Sequence, residues 1–429
     1  MKFSSIALLA LSFTASSQAF VTPSHKKLNL KNSGDTRSPA SSSTSLFSLE
    51  KYADELVQTA NQMVRPGYGL LACDGSNGTV GKRLDSIGVE NTEENRAEVS
   101  ERRLKSLSDT MRQPLTHFCL FLQWRELLFT APDLGKYISG AILFEETLYQ
   151  TAPSGKTMVE LLQSQGIIPG IKVDTGLQPL CGGGDGETFC SGLDGLFDRC
   201  SAAYQRGARF AKWRTAVKID VANNLPSKLA IQEAAWGLAR YARTCQECGL
   251  VPIVEPEVLI DGTHTQETTA QVQEWFISSV YKYMQENGCM LEGTLLKPSM
   301  TVAGVEADQK PTPEEVAAAT VKTLQRVIPP AMPGVTFLSG GISEEDASIY
   351  LNEINKIDRK GPWTLTFSFS RALQSSCIKE WDGKKENKEA AQKQLMARVI
   401  ANSQASLGKY EYGSQPTADE SLYVKDYVY

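Results

Sequence analysis

Histidine is scarce in this chain: 429 residues hold three, His25, His117 and His264. The usual His-rich catalytic metal site needs more imidazoles than that, and a Ser/His/Asp hydrolase is equally poorly supplied. No long basic run interrupts a chain of formal net charge −5 at pH 7. The electrostatic footprint of a nucleic-acid binder is therefore missing. Nine Cys residues at irregular spacings, an odd number, read as reduced, packed thiols and not as a disulfide framework. Cys245 and Cys248 make one C-x-x-C before Gly249, at a predicted helix C-terminus. With no partner pair, neither zinc nor redox chemistry is expected there.

What is present divides the chain in order. Residues 1–19 carry Lys2, an apolar core from Ile6 to Phe13 and small residues at Ser17 and Ala19. That is the pattern of a signal peptide, its core too short to span a bilayer. Residues 20–45 are Ser-rich and basic with Asp35 as the one acid, which reads as a transit peptide and linker; simple secretion is the alternative. From residue 46 to 408 the composition is globular, and strand patterns alternate with helical ones. Strands are predicted near 68–73, 140–148, 168–174, 210–219, 250–258, 291–298, 335–339 and 364–369, enough to close a (β/α)8 TIM barrel in the α/β class. Thr312-Pro313-Glu314-Glu315 is a predicted capping box and Ser343 with Asp346 a weaker helix start. Lys385–Ser406 reads as an amphipathic closing helix and residues 409–429 as a surface tail without a core of its own.

Barrel chemistry sits at the carboxyl ends of strands, and charged residues cluster at those predicted ends. In Leu291-Glu292-Gly293-Thr294-Leu295-Leu296-Lys297-Pro298-Ser299 an apolar run ends in Lys297, and Pro298 cannot continue a ladder. A Lys with apolar neighbours is either paired, neutral or snorkelling to water; neutral, it is an amine that forms an imine with a carbonyl. Phe210–Lys218 puts Lys212, Arg214 and Lys218 on one strand face, where Lys212 opposite Lys297 would lower its pKa by repulsion; a solvated edge strand is the alternative. Glu255 and Glu257 share a face at i and i+2, a spacing that would raise one pKa and suit a general acid/base. Asp74 ends an apolar strand before Gly75-Ser76-Asn77-Gly78-Thr79, where a helix-capping role is the bland reading. Ser339, Gly340 and Gly341 after the seventh strand and Ser370 and Arg371 after the eighth are candidates for a phosphate site made of backbone N–H groups and a guanidinium fork.

The nine residues 291–299, with further segments in the same order from Leu70 to Tyr429, resemble the Schiff-base signature and sequence of class I fructose-bisphosphate aldolases. The resemblance implies an enzyme that reversibly splits fructose 1,6-bisphosphate into dihydroxyacetone phosphate and glyceraldehyde 3-phosphate, in glycolysis, gluconeogenesis and the Calvin cycle. It implies no cofactor, no metal, no nucleic acid, no membrane in the mature form, and a homotetramer. Lys297 becomes the nucleophile, Lys212 and Glu255 proton-transfer groups, Asp74 the residue at the carbon bond being broken and Tyr429 a mobile phenol assisting proton exchange. Ser76, Thr79 and Lys172 would hold one phosphate. Ser339, Gly340, Gly341, Ser370 and Arg371 would hold the other, with Arg214 also among the substrate-binding residues. The sequence departs from the animal enzymes at Gly75 (Glu there), Thr79 (Ser) and Ser370 (Gly), and at Ser370 a positive φ would be strained. The presequence, with Phe20 at its junction, resembles the bipartite leader of algae with complex plastids and implies the plastid stroma. A catalytically silent scaffold on the same barrel and a transaldolase-like lyase are the rival functions.

Residues 99–123 have no counterpart in that family. Glu98 joined to Trp124 restores one helix, Pro114 breaks any helix through the segment, and Val99-Ser100 and Cys119–Gln123 can be encoded by intron-boundary sequences. The segment reads as a retained intron, with a lineage-specific surface insertion as the rival.

Overall fold

The computed structural model of the chain describes residues 49–76, 79, 83, 122–358, 361–417 and 421–424. The targeting segments 1–45, His117, nearly all of 99–123 and the terminal Tyr429 lie outside the described residues.

The described residues hold ten strands: β1 Gly69–Cys73, β2 Ile138–Leu143, β3 Ile168–Lys172, β4 Leu177–Pro179, β5 Thr188–Cys190, β6 Phe210–Val217, β7 Val251–Val258, β8 Leu295–Leu296, β9 Gly334–Phe337 and β10 Thr364–Phe369. Eight of them close a barrel in the order β1-β10-β9-β8-β7-β6-β3-β2, while β4 and β5 form a separate antiparallel hairpin. Every neighbouring pair in the barrel is parallel. As parallel strands covered on both faces, β1, β2, β6 and β7 are buried along their whole length.

The helices are α1 Ala53–Met63, α2 Glu145–Tyr149, α3 Met158–Ser164, α4 Leu196–Gln205, α5 Lys228–Glu247, α6 Gln266–Glu286, α7 Pro313–Val327, α8 Glu344–Lys356, α9 Arg371–Trp381 and α10 Lys388–Ala405, with a further helical stretch at 122–129. The predicted capping box starts α7: Thr312 Oγ1 accepts from Glu315 N and Glu315 Oε2 from Thr312 N. Ser343 caps α8 through Asp346 N, as its sequence suggests.

Two apolar layers result from the strand period. The larger lies between the strands and the outer helices and includes Leu71, Ala211, Trp213, Val254 and Leu296. The smaller gathers Leu70, Ala72, Ile142, Phe210, Val251, Ile253 and Leu295 around Leu56, Ala60 and Met63 of α1. Gly170 admits the ring of Phe210, which a Cβ there would approach to 2.2 Å. Two residues further along each strand, the face that carries Ala72, Phe210, Ile253 and Leu295 carries Asp74, Lys212, Glu255 and Lys297. The alternation that fills one end of the barrel with apolar groups therefore charges the other.

Several predicted elements need correction. The expected strand 291–298 shrinks to Leu295–Leu296, because Leu291–Gly293 coils into a 3-10 turn. The expected strand 140–148 ends at Leu143 and gives way to α2. The closing helix is not amphipathic: α10 buries Gln392, Arg398, Asn402 and Ser403 beside its apolar residues, since polar groups of neighbouring segments meet it on several sides. Nor does the tail lie wholly on the surface. Tyr410 is buried and donates to both carboxylate oxygens of Glu345, and Gly413 N donates to the same side chain.

Candidate active site

Four charged side chains meet inside the barrel: Asp74 directly after β1, Lys212 within β6, Glu255 within β7 and Lys297 directly after β8. The register sets them: Lys212 pairs with Ile253, Arg214 with Glu255, and Ile253 with Leu295. Lys297 follows β8 directly, its N–H donating to Val254 O at 2.8 Å. Its Nζ lies 2.8 Å from Glu255 Oε1. The other oxygen of Glu255 is 3.1 Å from Lys212 Nζ, which is in turn 2.7 Å from Asp74 Oδ2. All four side chains are at most 6% exposed. Charges so far from water persist only when paired, and the chain Lys297, Glu255, Lys212, Asp74 pairs each with its neighbour.

That pairing corrects the expected electrostatics. The Glu255 carboxyl is lowered, not raised as its spacing from Glu257 suggested. Burial does push the Glu255 carboxyl up, but the ammonium groups of Lys212 and Lys297 outweigh it and hold the pKa below the usual range. Asp74 behaves alike: burial raises it, and Lys212 followed by Lys297 bring it well below the usual carboxylate value. Glu257 serves another cation, with Oε2 2.5 Å from Arg214 Nε. Lys212 and Lys297 do not face each other bare, since Glu255 stands between them.

A cleft opens above these groups, lined by Arg214, Glu255, Glu257, Lys297, Ser339, Gly340, Ser368, Ser370 and Arg371 among others. Gly340 and Gly341 have φ of 56° and 99°, a backbone that L side chains adopt only with strain. Ser370 stands at the N-cap position of α9 with φ −110° and no side-chain capping bond. The positive φ that would have strained a Ser at that position is absent, so this departure costs nothing. Arg371 opens α9 and donates to the carbonyl of Leu422 in the tail.

The other expected phosphate group is less fully assembled. Ser76 Oγ and Thr79 Oγ1 lie 3.0 Å apart, and Thr79 N donates to Ser76 Oγ, so these hydroxyls serve each other and the turn. Lys172 Nζ lies 2.6 Å from Asp174 Oδ1 and also donates to Asp174 O. Neither Ser76, Thr79 nor Lys172 lines the cleft with Arg371.

Sequence reasoning passed over several side chains here. Arg83 reaches Ser370 Oγ at 3.4 Å, and buried Arg125 donates to Gly75 O at 3.1 Å; isolated arginines give no periodic signal. Asp261, three residues after β7, accepts from the Tyr423 hydroxyl at 2.7 Å. Its position just past a strand end, followed by Gly262, was the available clue. Beside it a cavity of about 300 Å³ is lined by Lys218, Asp220, Asp261, His264, Glu306 and Tyr423 among others. Among the thiols, Cys200 Sγ lies 3.6 Å from Cys245 Sγ, and Cys248 Sγ 3.4 Å from Ser201 Oγ. All three Cys residues are buried between α4 and α5, away from the cleft.

Comparison with known proteins bears on the whole chain. The family model described as fructose-bisphosphate aldolase class-I matches residues 55–122 and 121–429. "Fructose-bisphosphate aldolase 2, chloroplastic" of Arabidopsis thaliana is 49% identical over 411 residues, covering 96% of this chain and 94% of the relative. "Fructose-bisphosphate aldolase 1" of Toxoplasma gondii is 50% identical, covering 89% and 98%. A solved structure of fructose-bisphosphate aldolase from Plasmodium falciparum, in complex with TRAP and a small-molecule inhibitor, superposes with a TM-score of 0.76 at 50% identity, covering 85% of this chain and 97% of that one.

Proposed function

The chain belongs to the class I fructose-bisphosphate aldolases, and from that membership we propose how its residues divide the chemistry. The reaction is the reversible, metal-independent cleavage of fructose 1,6-bisphosphate to dihydroxyacetone phosphate and glyceraldehyde 3-phosphate. The observation that carries the division is the Lys297–Glu255 contact of 2.8 Å, with Lys212 on the far oxygen of the same carboxylate.

Glu255 is placed to take a proton from Lys297, which frees the amine for attack on the substrate carbonyl carbon. The same acid then protonates the carbinolamine hydroxyl, which leaves as water and produces the iminium. With the iminium as electron sink, loss of the proton from the substrate's C4 hydroxyl lets the C3–C4 pair move onto the enamine. Asp74, tied to Lys212 at 2.7 Å, is the base proposed for that hydroxyl. Lys212 moves with this charge, stabilising Glu255 and Asp74 while either is ionised. Glyceraldehyde 3-phosphate departs; reprotonation of the enamine, assisted by Tyr429, and hydrolysis of the iminium by water release dihydroxyacetone phosphate.

Arg371 with Ser339, Gly340, Gly341 and Ser370 is the proposed seat of one phosphate. Arg214 and Glu257 flank the substrate, and Ser76, Thr79 and Lys172 receive the other phosphate once Lys172 exchanges Asp174 for it. Residues 1–19 and 20–45 are proposed to deliver the chain to the plastid stroma, in keeping with chloroplastic relatives; 46–408 is the proposed barrel domain and 409–429 its C-terminal tail. The proposed assembly is a homotetramer. Exposed Trp236 and Trp275, 40% and 42% accessible on α5 and α6, are apolar side chains that such an assembly would cover.

The test is covalent trapping. Dihydroxyacetone phosphate with borohydride should leave a reduced adduct on Lys297, read by peptide mass spectrometry; labelling of a different lysine would remove Lys297 from the role.

A further inference from the structure

Strand β7 outruns its neighbour on one side. It pairs with β6 along its whole length, from Phe210 opposite Val251 to Val217 opposite Val258, whereas β8 meets it at Ile253–Leu295 and Val254–Leu296. Glu255 is thus fixed by β6, and Lys297 is tied to β7 through its N–H on Val254 O at 2.8 Å. Beyond that rung the ladder has no ready continuation, because Pro256 of β7 and Pro298 after Lys297 both lack an amide hydrogen. A side chain takes its place. Buried Ser299 accepts from Val258 N at 3.1 Å and donates to Val258 O at 3.0 Å through the same Oγ. Other ties of this segment run to different elements: Leu338 N donates to Pro298 O at 3.1 Å, and Gln273 Nε2 of α6 to Ser299 O at 3.0 Å.

We propose that Ser299 is a positioning residue for imine formation: its hydroxyl, bonded to both the N–H and the C=O of Val258, stands in for a rung of the β7–β8 ladder and keeps Lys297 at proton-transfer distance from Glu255. The proposal rests on Lys297 being the nucleophile and Glu255 its proton acceptor. These two groups stand on different strands, so their 2.8 Å spacing is set by how closely the chain after β8 lies against β7. Val254 ties that chain down before Glu255 and Val258 ties it down after, with Lys297 spanning the two. A serine hydroxyl suits the place because it carries a donor and acceptors on one atom, as a ladder residue carries both on its backbone. Ser299→Ala would leave a buried N–H and a buried C=O without that partner, and the chain carrying Lys297 would shift to recover one. During turnover the Lys297 side chain has to swing from carboxylate to substrate carbonyl, and a fixed backbone confines that motion to the side chain. A displacement of about 1 Å in a reacting group costs on the order of a hundredfold in rate.

The test separates positioning from general support. Full-length parent, Ser299→Ala and Ser299→Cys are compared after circular dichroism has shown each to be folded. The rate at which dihydroxyacetone phosphate with saturating borohydride forms the reduced adduct on Lys297 should fall about ten- to a hundredfold in Ser299→Ala, and kcat with it. Affinity for inorganic phosphate, read by calorimetry, should stay at the parent value, since the proposed seat at Arg371 stands on other loops. A thiol is a weak donor and a weak acceptor, so Ser299→Cys should fall between the parent and Ser299→Ala. Should Ser299→Ala fail to fold, Ser299→Cys decides alone. Trapping at the parent rate in the folded variants overturns the proposal, and so does a phosphate affinity that drops together with trapping, because the whole mouth would then have loosened. A parent adduct on a different lysine overturns the Lys297 reading and the proposal with it; a parent adduct on Lys297 with unchanged variant rates overturns the proposal alone.

Discussion

At the scale of the residue, the site depends on one carboxylate shared by two ammonium groups. Breaking a buried ion pair by removing one partner leaves an unpaired charge in a poor solvent, a cost on the order of several kcal/mol. Asp74→Asn takes one of the buried carboxylates away from Lys212, and a destabilisation of about 2 to 4 kcal/mol at pH 7 is expected. Its pH dependence follows from the depressed pKa. Asp74 and Glu255 titrate lower in the folded chain than in the unfolded one. Their stabilisation is therefore whole above the unfolded carboxylate value of about 4 and is lost as pH falls through the folded values. Urea midpoints of parent and Asp74→Asn should differ most near neutrality and converge below about pH 4. A gap that stays constant with pH would mean that the charge of Asp74 is not what stabilises the fold.

At the scale of the element, the barrel strands and the loops that follow them carry the function and the helices hold them. Strand β8 is two residues long, yet it sets Lys297, because the Lys297 N–H continues the ladder onto Val254 O. The segment 99–123 leads into the helical stretch at 122–129. The family match runs in two stretches, 55–122 and 121–429, the first of which passes through 99–122. The reading of 99–123 as a retained intron is a proposal with its own test. Mass spectrometry of the native protein should find a peptide that passes from Glu98 directly into Trp124; abundant peptides from inside 99–123 would instead establish a surface insertion.

At the scale of the whole molecule, Trp236 and Trp275 stand 40% and 42% exposed on neighbouring helices, with Trp236 edge-on to Tyr283 at 5.4 Å between ring centroids. Such side chains at the surface gain by being covered, about 25 cal/mol for each Å² of apolar area removed from water. Trp236→Glu with Trp275→Glu should lower the mass seen by sedimentation velocity while far-ultraviolet circular dichroism keeps its parent shape. An unaltered mass in that double variant would take these two side chains out of the proposed subunit interface.

The amino-acid sequence by itself determined which residues could do chemistry and where along each strand they stand. Period-two alternation carries Leu70 and Ala72 to Asp74, Phe210 to Lys212 and Ile253 to Glu255, and the run before Pro298 singles out Lys297. Local signals of the same kind fixed the caps of α7 and α8. Only the tertiary structure decided the partners. In sequence Glu255 neighbours Glu257, and their spacing suggested one raised pKa; in the barrel Glu255 lies between Lys212 and Lys297, and Glu257 meets Arg214. Lys172 turned to Asp174, and the tail brought Leu422 to Arg371 and Tyr423 to Asp261. Spacing along a strand is fixed by covalent geometry and can be counted. Distance across a closed barrel depends on register, strand tilt and loop path, which no local run of residues encodes.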